Sequence, residues 1–350
     1  MTTATTTQWG PNLYVSGNTG PKMGRVLQLL VGHDGDGNVR YDNGLLISNV
    51  QPDGSPGLRM TFEITKTIYR TPNQALIKIY GLSQEHEKTI GREYNDVILQ
   101  GGYQGQVRVF FRGNIRFTHF YGEAGVDRIA EINAGDGDKD FRNALVNFTL
   151  EAGHTDGDVI HRLFTSMRAT TEGRIAGKNL KTRFARGRTY SGLVRDVMDQ
   201  AARNSDAHWS IQNGAMIMVP VDSVLPGEAI VVSSETGLLG TPEVNNKGIK
   251  IRTLLDPRIV PARKLWLQNN EIKQKHLAKA IEGQKHKLHG PQKPVRTDPD
   301  GVYKTYAVKM AGDTRGPNWE CESMCVALDS PIPSIKGLPI SSTPDDDVLL

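Results

Sequence analysis

The sequence is poor in cysteine, contains no long hydrophobic run and has no strong net charge. Its only cysteines are Cys321 and Cys325, so a disulfide-based scaffold and a four-cysteine zinc site are both excluded. No run of about 18 apolar residues occurs, and the first residues lack the basic and apolar regions of a signal peptide. These absences predict a soluble protein without a membrane anchor that is made in a cytoplasm.

The charge balance does not point to a particular ligand. The 42 basic and 38 acidic residues give a formal net charge of +4, which is too small to require a nucleic acid or a membrane as partner. Glycine, by contrast, is abundant. It accounts for 37 of the 350 residues without a repeat period, which favours many tight turns between strands over an all-helical chain.

Motifs that would indicate an enzyme are missing as well. The sequence contains no GxSxG nucleophile elbow, no GxxxxGK[ST] phosphate loop, no HExxH zinc motif and no GxGxxG after a predicted strand. His286 and His289 lie in a basic segment without nearby acidic ligands, which indicates a solvated loop. Cys321 and Cys325 fall in a predicted strand, where their side chains would lie about 13 Å apart, too far for a disulfide. On a helix the two thiols would instead be adjacent.

Two acidic segments imitate the first half of a calcium-binding loop. Asp34, Asp36 and Asn38 have the ligand spacing of an EF-hand, and a second segment with the same spacing contains Asp136, Asp138 and Asp140. Both lack the required glycine and glutamate, whose positions hold Val39 and Leu45 in the first segment and Phe141 and Asn147 in the second. We interpret both as acidic glycine turns and assign no catalytic, cofactor-binding or metal-binding residue, so no cofactor is expected.

Residues 26–147 have the pattern of short strands and follow an N-terminal arm over residues 1–25. Met60 to Thr67 alternates apolar and polar residues, Ala75 to Leu82 does the same, and Ser83 then caps a short helix. Further predicted strands are Asp96 to Gln100, Gln106 to Arg112, Arg116 to Tyr121 and Asp127 to Ala134. Such short strands with frequent glycine turns predict a small antiparallel barrel or sandwich, and we assign residues 26–147 to a first β-barrel.

Residues 148–235 have helical periodicity instead. Thr155 and Asp156 precede apolar residues spaced for one helix face, and Ser191 precedes a second pattern of this kind. His208 to Gln212 and Ala215 to Pro220 flank the dipeptide Asn213-Gly214, a strong hairpin signal. We predict an α/β module with two helices against a hairpin-containing sheet.

Short strands return after this module, so we predict a second β-barrel over residues 236–328. The predicted strands from Glu228 onward are Ala229 to Ser233, Gly248 to Leu254, Arg263 to Gln268, Val302 to Gly312 and Trp319 to Leu328. A basic insertion, residues 269–296, interrupts the barrel, and residues 329–350 form an extended Pro-rich acidic tail that needs a partner to become ordered. The fold class is therefore mainly β with an α+β insert: two small antiparallel β-barrels and a two-helix α/β module.

A resemblance covers most of residues 60–268. The segments that carry it are ALIKIYGLS (75–83), FRGNI (111–115) with DRIAEINAGDGD (127–138), RGRTYSGLVRDVMDQAARNSDAHWSIQNGAMIMVP (186–220), ETGLLGTPE (235–243) and GIKIRTLLDPRIVP (248–261). In this order they resemble the baseplate or tail-tip hub proteins of tailed bacteriophages. The arm, the basic insertion and the tail lie outside the resemblance.

The resemblance implies a non-enzymatic structural protein of the virion tail baseplate, assembled in the host cytoplasm. It implies a homotrimeric ring that joins the sixfold tail tube to the threefold central spike and forms part of the DNA channel. Three chains with two barrels each would offer six barrels to a hexameric tube. The implied partners are the tail tube or a distal tube-initiator protein, the central spike, and tape measure and baseplate wedge proteins, while DNA would only pass through the channel.

Other functions remain open at this stage. One alternative is a cell-wall glycan hydrolase of the tail tip, and another is a carbohydrate-binding or nucleic-acid-binding module. The basic segment Lys273 to Arg296 carries no aromatic residues on which bases could stack, which disfavours nucleic-acid binding.

Overall fold

The computed structural model describes residues 24–35, 38–51, 54–90, 95–123, 127–245, 247–267, 301–328, 330 and 332. Residues 1–23 of the expected arm, the basic insertion 269–296 and nearly all of the tail 329–350 lie outside the described residues. The predicted mainly-β class with a small helical insert is confirmed, since the described chain consists mostly of antiparallel strands with a small helical part.

The first part of the chain contains seven strands and one short helix. They are β1 (Arg25–Gly35), β2 (Asn38–Ser48), β3 (Met60–Thr67), β4 (Gln74–Tyr80), α1 (Gln84–Thr89), β5 (Asp96–Tyr103), β6 (Gln106–Glu123) and β7 (Asp127–Gly135). Strand β3 has the predicted bounds, and its residues alternate between buried and half-exposed. Ser83 caps α1 as predicted, because its side chain accepts a hydrogen bond from the backbone N–H of His86.

The middle of the chain contains three helices and two small sheets. The elements are α2 (Asp138–Asn143), β8 (Leu145–Leu150), α3 (Asp156–Phe164), β9 (Thr171–Ile175), β10 (Arg188–Leu193), α4 (Val194–Asn204), β11 (Ala207–Gln212) and β12 (Ala215–Pro220). Strand β8 pairs with β10, and β12 pairs with both β11 and β9. A separate apolar core, built around Val159, Leu163 and Met198, lies between these helices and sheets.

The last part returns to strands. They are β13 (Ile230–Val232), β14 (Glu243–Asn245), β15 (Gly248–Leu254), β16 (Lys264–Leu267), β17 (Val302–Asp313) and β18 (Trp319–Ala327). These strands join the first seven in one 13-stranded sheet, whose main order is β14-β15-β18-β17-β3-β4-β7-β6-β5-β1-β2, while β16 pairs with β13 and β17.

The two strand-rich regions are connected by the antiparallel pair β3 and β17. Ile64 lies opposite Met310, and Phe62 lies opposite Gly312. The interior is continuous across this pair, because the Phe62 ring contacts Phe110 on one side and Trp319 on the other, with ring centroids 5.2 and 5.5 Å apart. The two regions therefore share one hydrophobic core as well as one sheet.

The hairpin and the first long helix agree with the sequence prediction. Asn213 and Gly214 both have positive φ, 55° and 78°, as a two-residue hairpin turn requires. Thr155 caps α3, and it forms a reciprocal capping box with Asp158.

The predicted cap of the second long helix was wrong. Ser191 lies inside β10, opposite Asn147 of β8, and α4 begins only at Val194 after Leu193, which makes no side-chain cap bond. The pairing with β8 runs to Leu193 and holds Ser191 in an extended conformation, so the local capping preference is overridden. The apolar face of α4 is nevertheless buried as expected through Val197 and Met198.

Two further differences concern the first region. The predicted strands at 106–112 and 116–121 form one strand, β6, because Gly113 and Asn114 pair with Val97 and Asp96 of β5 instead of turning. A Cβ at Gly113 would lie 2.5 Å from the carbonyl oxygen of Gly135, so glycine permits this close approach. The hairpin of β1 and β2 was not predicted.

Candidate assembly surface

The acidic segment after β7 makes structural contacts with three different parts of the chain. Asp136 is fully buried and accepts hydrogen bonds from the backbone N–H groups of Asn213 and Gly214 at 2.6 and 2.7 Å. Asp138 pairs with Arg116 at 2.7 Å, and Asp140 accepts from the backbone N–H groups of residues 168–170. These carboxylates point to separate partners rather than to a common centre, and the segment includes α2 rather than only a turn.

A buried polar network attaches the β11–β12 hairpin to the large sheet. Lys66 is fully buried at the end of β3 and donates a hydrogen bond to the Asn213 side chain. Asn73 donates to Ile211 O at 2.7 Å and to Gln212 Oε1 at 3.0 Å, and Gln212 donates back to Thr67 O at 2.8 Å. These bonds satisfy polar groups that would be costly to bury alone, and they fix the position of the hairpin.

Burial shifts the pKa values of the two charged members of this network in opposite directions. Desolvation raises the pKa of Asp136 to about 6, although the nearby charge of Lys66 and the N–H donors of Gly214 and Asn213 oppose the shift. Desolvation lowers the pKa of Lys66 to about 8, against the attraction of Asp136. Lys304 of β17, which donates to Val221 O at 3.0 Å, also has its pKa lowered by burial, to about 8.

The other residues considered from the sequence have no shared site. Cys321 and Cys325 lie four residues apart on β18 and form no disulfide, as predicted, and both are fully buried. Burial raises the pKa of Cys325 to about 12. His286 and His289, and the side chains of Asp34, Asp36 and Asn38, lie outside the described residues. Within the described ranges, no group of three or more His, Cys, Asp and Glu residues is placed to hold a metal.

One face of the large sheet is polar and continuous across both strand-rich regions. It consists of the half-exposed residues that alternate with core residues on β4, β7, β3, β17, β18 and β15. Its ion pairs are Lys78–Glu131 at 3.0 Å, Lys309–Glu63 at 2.6 Å, Lys250–Glu322 at 2.7 Å and Arg252–Glu320 at 2.7 Å. Each cation has an anion beside it, so the face is electrically balanced along its whole width.

These pairs affect local charge more than stability. All lie on the accessible face, where ion pairs of this kind contribute about 0–1 kcal/mol each. The hydrogen bond to Glu131 raises the pKa of Lys78, and the one to Glu320 raises the pKa of Arg252, so both cations stay charged at neutral pH. The face thus carries many charges without a net sign.

Strand edges are open at both ends of this polar face. Residues 106–114 of β6 pair with β5, but from Phe117 to Glu123 the described strand that pairs with β6 is β7 alone. Phe117 is 55% exposed in this stretch. At the other end, β14 pairs only with β15 among the described strands. Open edges of this kind can accept a strand from another chain.

Cavities among the described residues include two that open beside strands of the first region. One, of about 470 Å³, is lined by Leu58, Arg59, Tyr80 and Arg315. The other, of about 410 Å³, lies beside α1 and includes Phe120 and the ion pair of Glu87 with Arg128. No helix in the described part of the chain is long and apolar enough to cross a membrane.

The sequence contains signals for two of these features. In MTFEITKT, Lys66 stands in phase with Met60, Phe62 and Ile64, so a strand places it on the buried side, where a lysine needs a partner. Phe117 stands in phase with His119 on β6, which marks an exposed aromatic position on an otherwise polar face. Neither signal alone identifies the partner.

The fold of this chain is similar to that of several solved structures. No protein-family model and no curated protein matches the sequence. Among solved structures, the 43 kDa tail protein of prophage MuSo2 from Shewanella oneidensis has a TM-score of 0.55 and 6% identity, and the match covers 88% of this chain and 99% of that chain.

Two further solved structures agree with this match. The tail protein from Neisseria meningitidis MC58 has a TM-score of 0.52 and 9% identity, over 89% of this chain and 100% of that one. A chain of the Francisella PdpA-VgrG complex has a TM-score of 0.52 and 10% identity, over 90% of this chain and 60% of that one. The fold of this chain is thus that of these tail proteins, which agrees with the resemblance found in the sequence.

Proposed function

We propose that this chain is a structural protein of a phage-type tail, and that three copies form the hub ring at the tail tip. In this role the ring joins a sixfold tube to a threefold spike in the virion baseplate. The observation that carries the proposal is the polar sheet face, which runs through two consecutive sets of strands, β6-β7-β4-β3 and β17-β18-β15-β14, in one chain.

The two sets account for the change of symmetry. Each set contains four neighbouring strands, and β3 and β17 join them edge to edge. A threefold ring of such chains presents six similar sets, which matches a hexameric tube although only three copies are used. The open edge of β6 in one copy then lies beside the open edge of β14 in the next, and head-to-tail contacts of this kind close into a ring.

The charge pattern of the face suits the wall of a DNA channel. A surface with excess lysine and arginine would bind the phosphate backbone and release counterions, which would hold DNA instead of letting it pass. The paired charges of Lys78 with Glu131 and Lys309 with Glu63 keep the surface hydrated without attracting phosphates. DNA is therefore a transient passenger in this proposal and not a ligand.

The described side chains support a structural rather than an enzymatic role. Lys66 and Asp136, which are both fully buried, have their hydrogen-bond partners in the polar network at the β11–β12 hairpin and line neither of the two cavities described above. Partners in this role are proteins of the tail: the tube or its initiator, the spike, the tape measure and the baseplate wedges. Assembly takes place in the host cytoplasm.

The test is the mass of the purified protein in solution, with and without spike protein, together with electron micrographs. We expect a trimer that forms a ring with a central channel. A compact monomer under both conditions would refute the hub proposal, and so would clearing of peptidoglycan by the protein alone.

A pair of variants tests the edge contact directly. Phe117→Asp places a charge on the open part of β6, and we expect it to prevent trimer formation while the chain stays folded. Val109→Asp is the matched control, because Val109 is also exposed on β6 (43%) but lies where β5 already pairs with the strand. Loss of the trimer in both variants, or in neither, would contradict this contact.

A further inference from the structure

The cavity beside the end of β17 has two arginines in fixed positions. The Arg59 guanidinium donates to both carboxylate oxygens of Asp313, at 3.2 and 2.7 Å, and lies over the Tyr80 ring, 4.6 Å from its centroid. Arg315 donates through Nη2 to Gly57 O at 2.9 Å. Both groups are oriented before any ligand arrives, which reduces the entropy cost of binding.

The charge of this corner differs from that of the balanced sheet face. Arg25 also reaches it and donates to the carbonyl oxygens of Asp313 and Pro317 at 3.0 and 3.2 Å. The guanidinium groups of Arg59 and Arg315 thus line the cavity, and that of Arg25 lies against the backbone beside it. Asp313 carries a carboxylate here, and although desolvation opposes the shift, hydrogen bonds from Arg59 and from the backbone N–H of Arg315 lower its pKa. The excess positive charge favours an anionic ligand, and arginine suits carboxylates in particular.

The walls of the cavity narrow the choice of ligand. Leu58 and Tyr80 supply apolar surface next to the two arginines. A volume of about 470 Å³ holds a few side chains, whereas a DNA duplex presents its phosphates on a convex surface that does not enter such a space. The best match is a short peptide in which acidic residues stand beside apolar ones.

The chain itself contains such a peptide. We propose that the segment from Asp345 to Leu350, with the sequence DDDVLL, docks in the cavity of its own chain. Its carboxylates complement the guanidinium groups of Arg59 and Arg315, and Val348 and Leu349 complement Leu58 and Tyr80. This inference does not depend on the proposed ring.

The connecting chain is long enough for this docking. Ile332 packs against the cluster that contains Tyr306 and Met324. From Tyr306 to Asp313, β17 covers about 23 Å at the rise of an extended strand. Thirteen residues separate Ile332 from Asp345, and prolines at 333, 339 and 344 favour an extended path of about 40 Å. The connecting chain, about 40 Å long, therefore exceeds the distance of about 23 Å along β17, so the acidic segment can reach the cavity.

The experiment uses a fluorescent peptide of residues 341–350 and measures its anisotropy with two forms of the full chain. One is the natural chain, and the other carries Asp345→Asn, Asp346→Asn and Asp347→Asn. We expect the peptide to bind the substituted chain at least about 10-fold more tightly, because a tethered tail competes in the natural chain at a high effective concentration. Equal binding to both forms, or binding to neither, overturns the proposal.

A further substitution, made in the chain that carries the three Asp→Asn changes, then locates the peptide-binding site. Arg315→Gln should weaken the affinity for the peptide by about 10-fold or more and reduce the salt dependence of binding. Lys88→Gln, which removes an exposed cation from the other cavity, is the matched control and should leave affinity unchanged. Equal effects of the two substitutions, or Arg315-dependent binding of a short DNA duplex in place of the peptide, would also overturn the proposal.

Discussion

Replacing Gly312 with alanine should destabilise the chain through a clash at the contact between the two strand-rich regions. Gly312 lies opposite Phe62 on β3 and opposite Trp319 on β18. An added Cβ would lie 2.4 Å from Phe62 Cε1 and 2.7 Å from Trp319 Cε3, far inside normal contact distances. The glycine leaves the space that the two rings fill, so the rings cover its backbone.

The change in the free energy of unfolding caused by Gly312→Ala is the sum of two opposing effects. The φ of Gly312 is outside the left-handed region, so alanine causes no backbone strain and would by itself stabilise the chain by about 0.4–1 kcal/mol. Overpacking a tight core typically costs about 1–3 kcal/mol, and Phe62 has little room to move because Phe110 packs against its other side. We expect a net loss of about 1–2 kcal/mol in the free energy of unfolding.

The assay is urea unfolding of four proteins: the natural chain, Gly312→Ala, Phe62→Leu and the double variant. Leucine vacates the space that the new methyl group needs, so the double variant should lose about 1 kcal/mol less than the sum of the single losses. Gly122→Ala on β6 is the control, because a Cβ there meets nothing within 4 Å, and it should be neutral or stabilising.

Two results would refute this reasoning. Additive losses in the double variant would show that the methyl group does not meet the Phe62 ring. A Gly312→Ala chain as stable as the natural one would show that the β3–β17 contact is looser than its ring distances indicate.

Other predictions concern the buried polar network at the β11–β12 hairpin and the two thiols. The pKa of Asp136 is raised from about 4 to about 6, so its contribution to stability is present below about pH 4 and lost as the pH rises through 6. Stability measured by urea unfolding should therefore fall less between pH 4 and 7 in Asp136→Asn than in the natural chain, and identical pH profiles would contradict this. Gly214→Ala forces alanine to a φ of 78° and should cost about 1–2 kcal/mol in the same assay, where an unchanged midpoint would argue against the turn. Cys321 and Cys325 are buried, and the raised pKa of Cys325 disfavours its thiolate, so both should resist a thiol reagent until the chain unfolds; rapid reaction in the folded state would be evidence against their burial.

Local patterns predicted individual strands well. The bounds of β3 and β15 agree with the alternation signals, because each of these strands has one face in the core and one accessible face. The bounds of β12 also agree, although Met216 to Val219 are all buried, because the turn before it sets where the strand begins. The Asn213-Gly214 turn was predictable for a similar reason, since positive φ at two consecutive residues favours this dipeptide.

Pairing between distant strands was not predictable in the same way. The contact of β3 with β17 joins residues such as Glu63 and Ala311, and nothing in either segment specifies the other. Register depends on the turns and buried faces of the whole sheet, which a single sequence does not display. The open edge of β6, and with it the candidate assembly surface, follows from this long-range order and was missed for that reason.

The same pairing has a consequence for how the protein is made. Strand β3 leaves the ribosome long before β17, whose first residue is Val302. The edge of β3 that pairs with β17 therefore has no partner strand during most of synthesis. At about 5–20 residues per second this wait lasts on the order of ten seconds or more. The first region can form β-structure early, but the complete sheet closes only when nearly all of the chain has emerged. We therefore expect prematurely terminated chains that lack β17 to expose the edge of β3 and to aggregate.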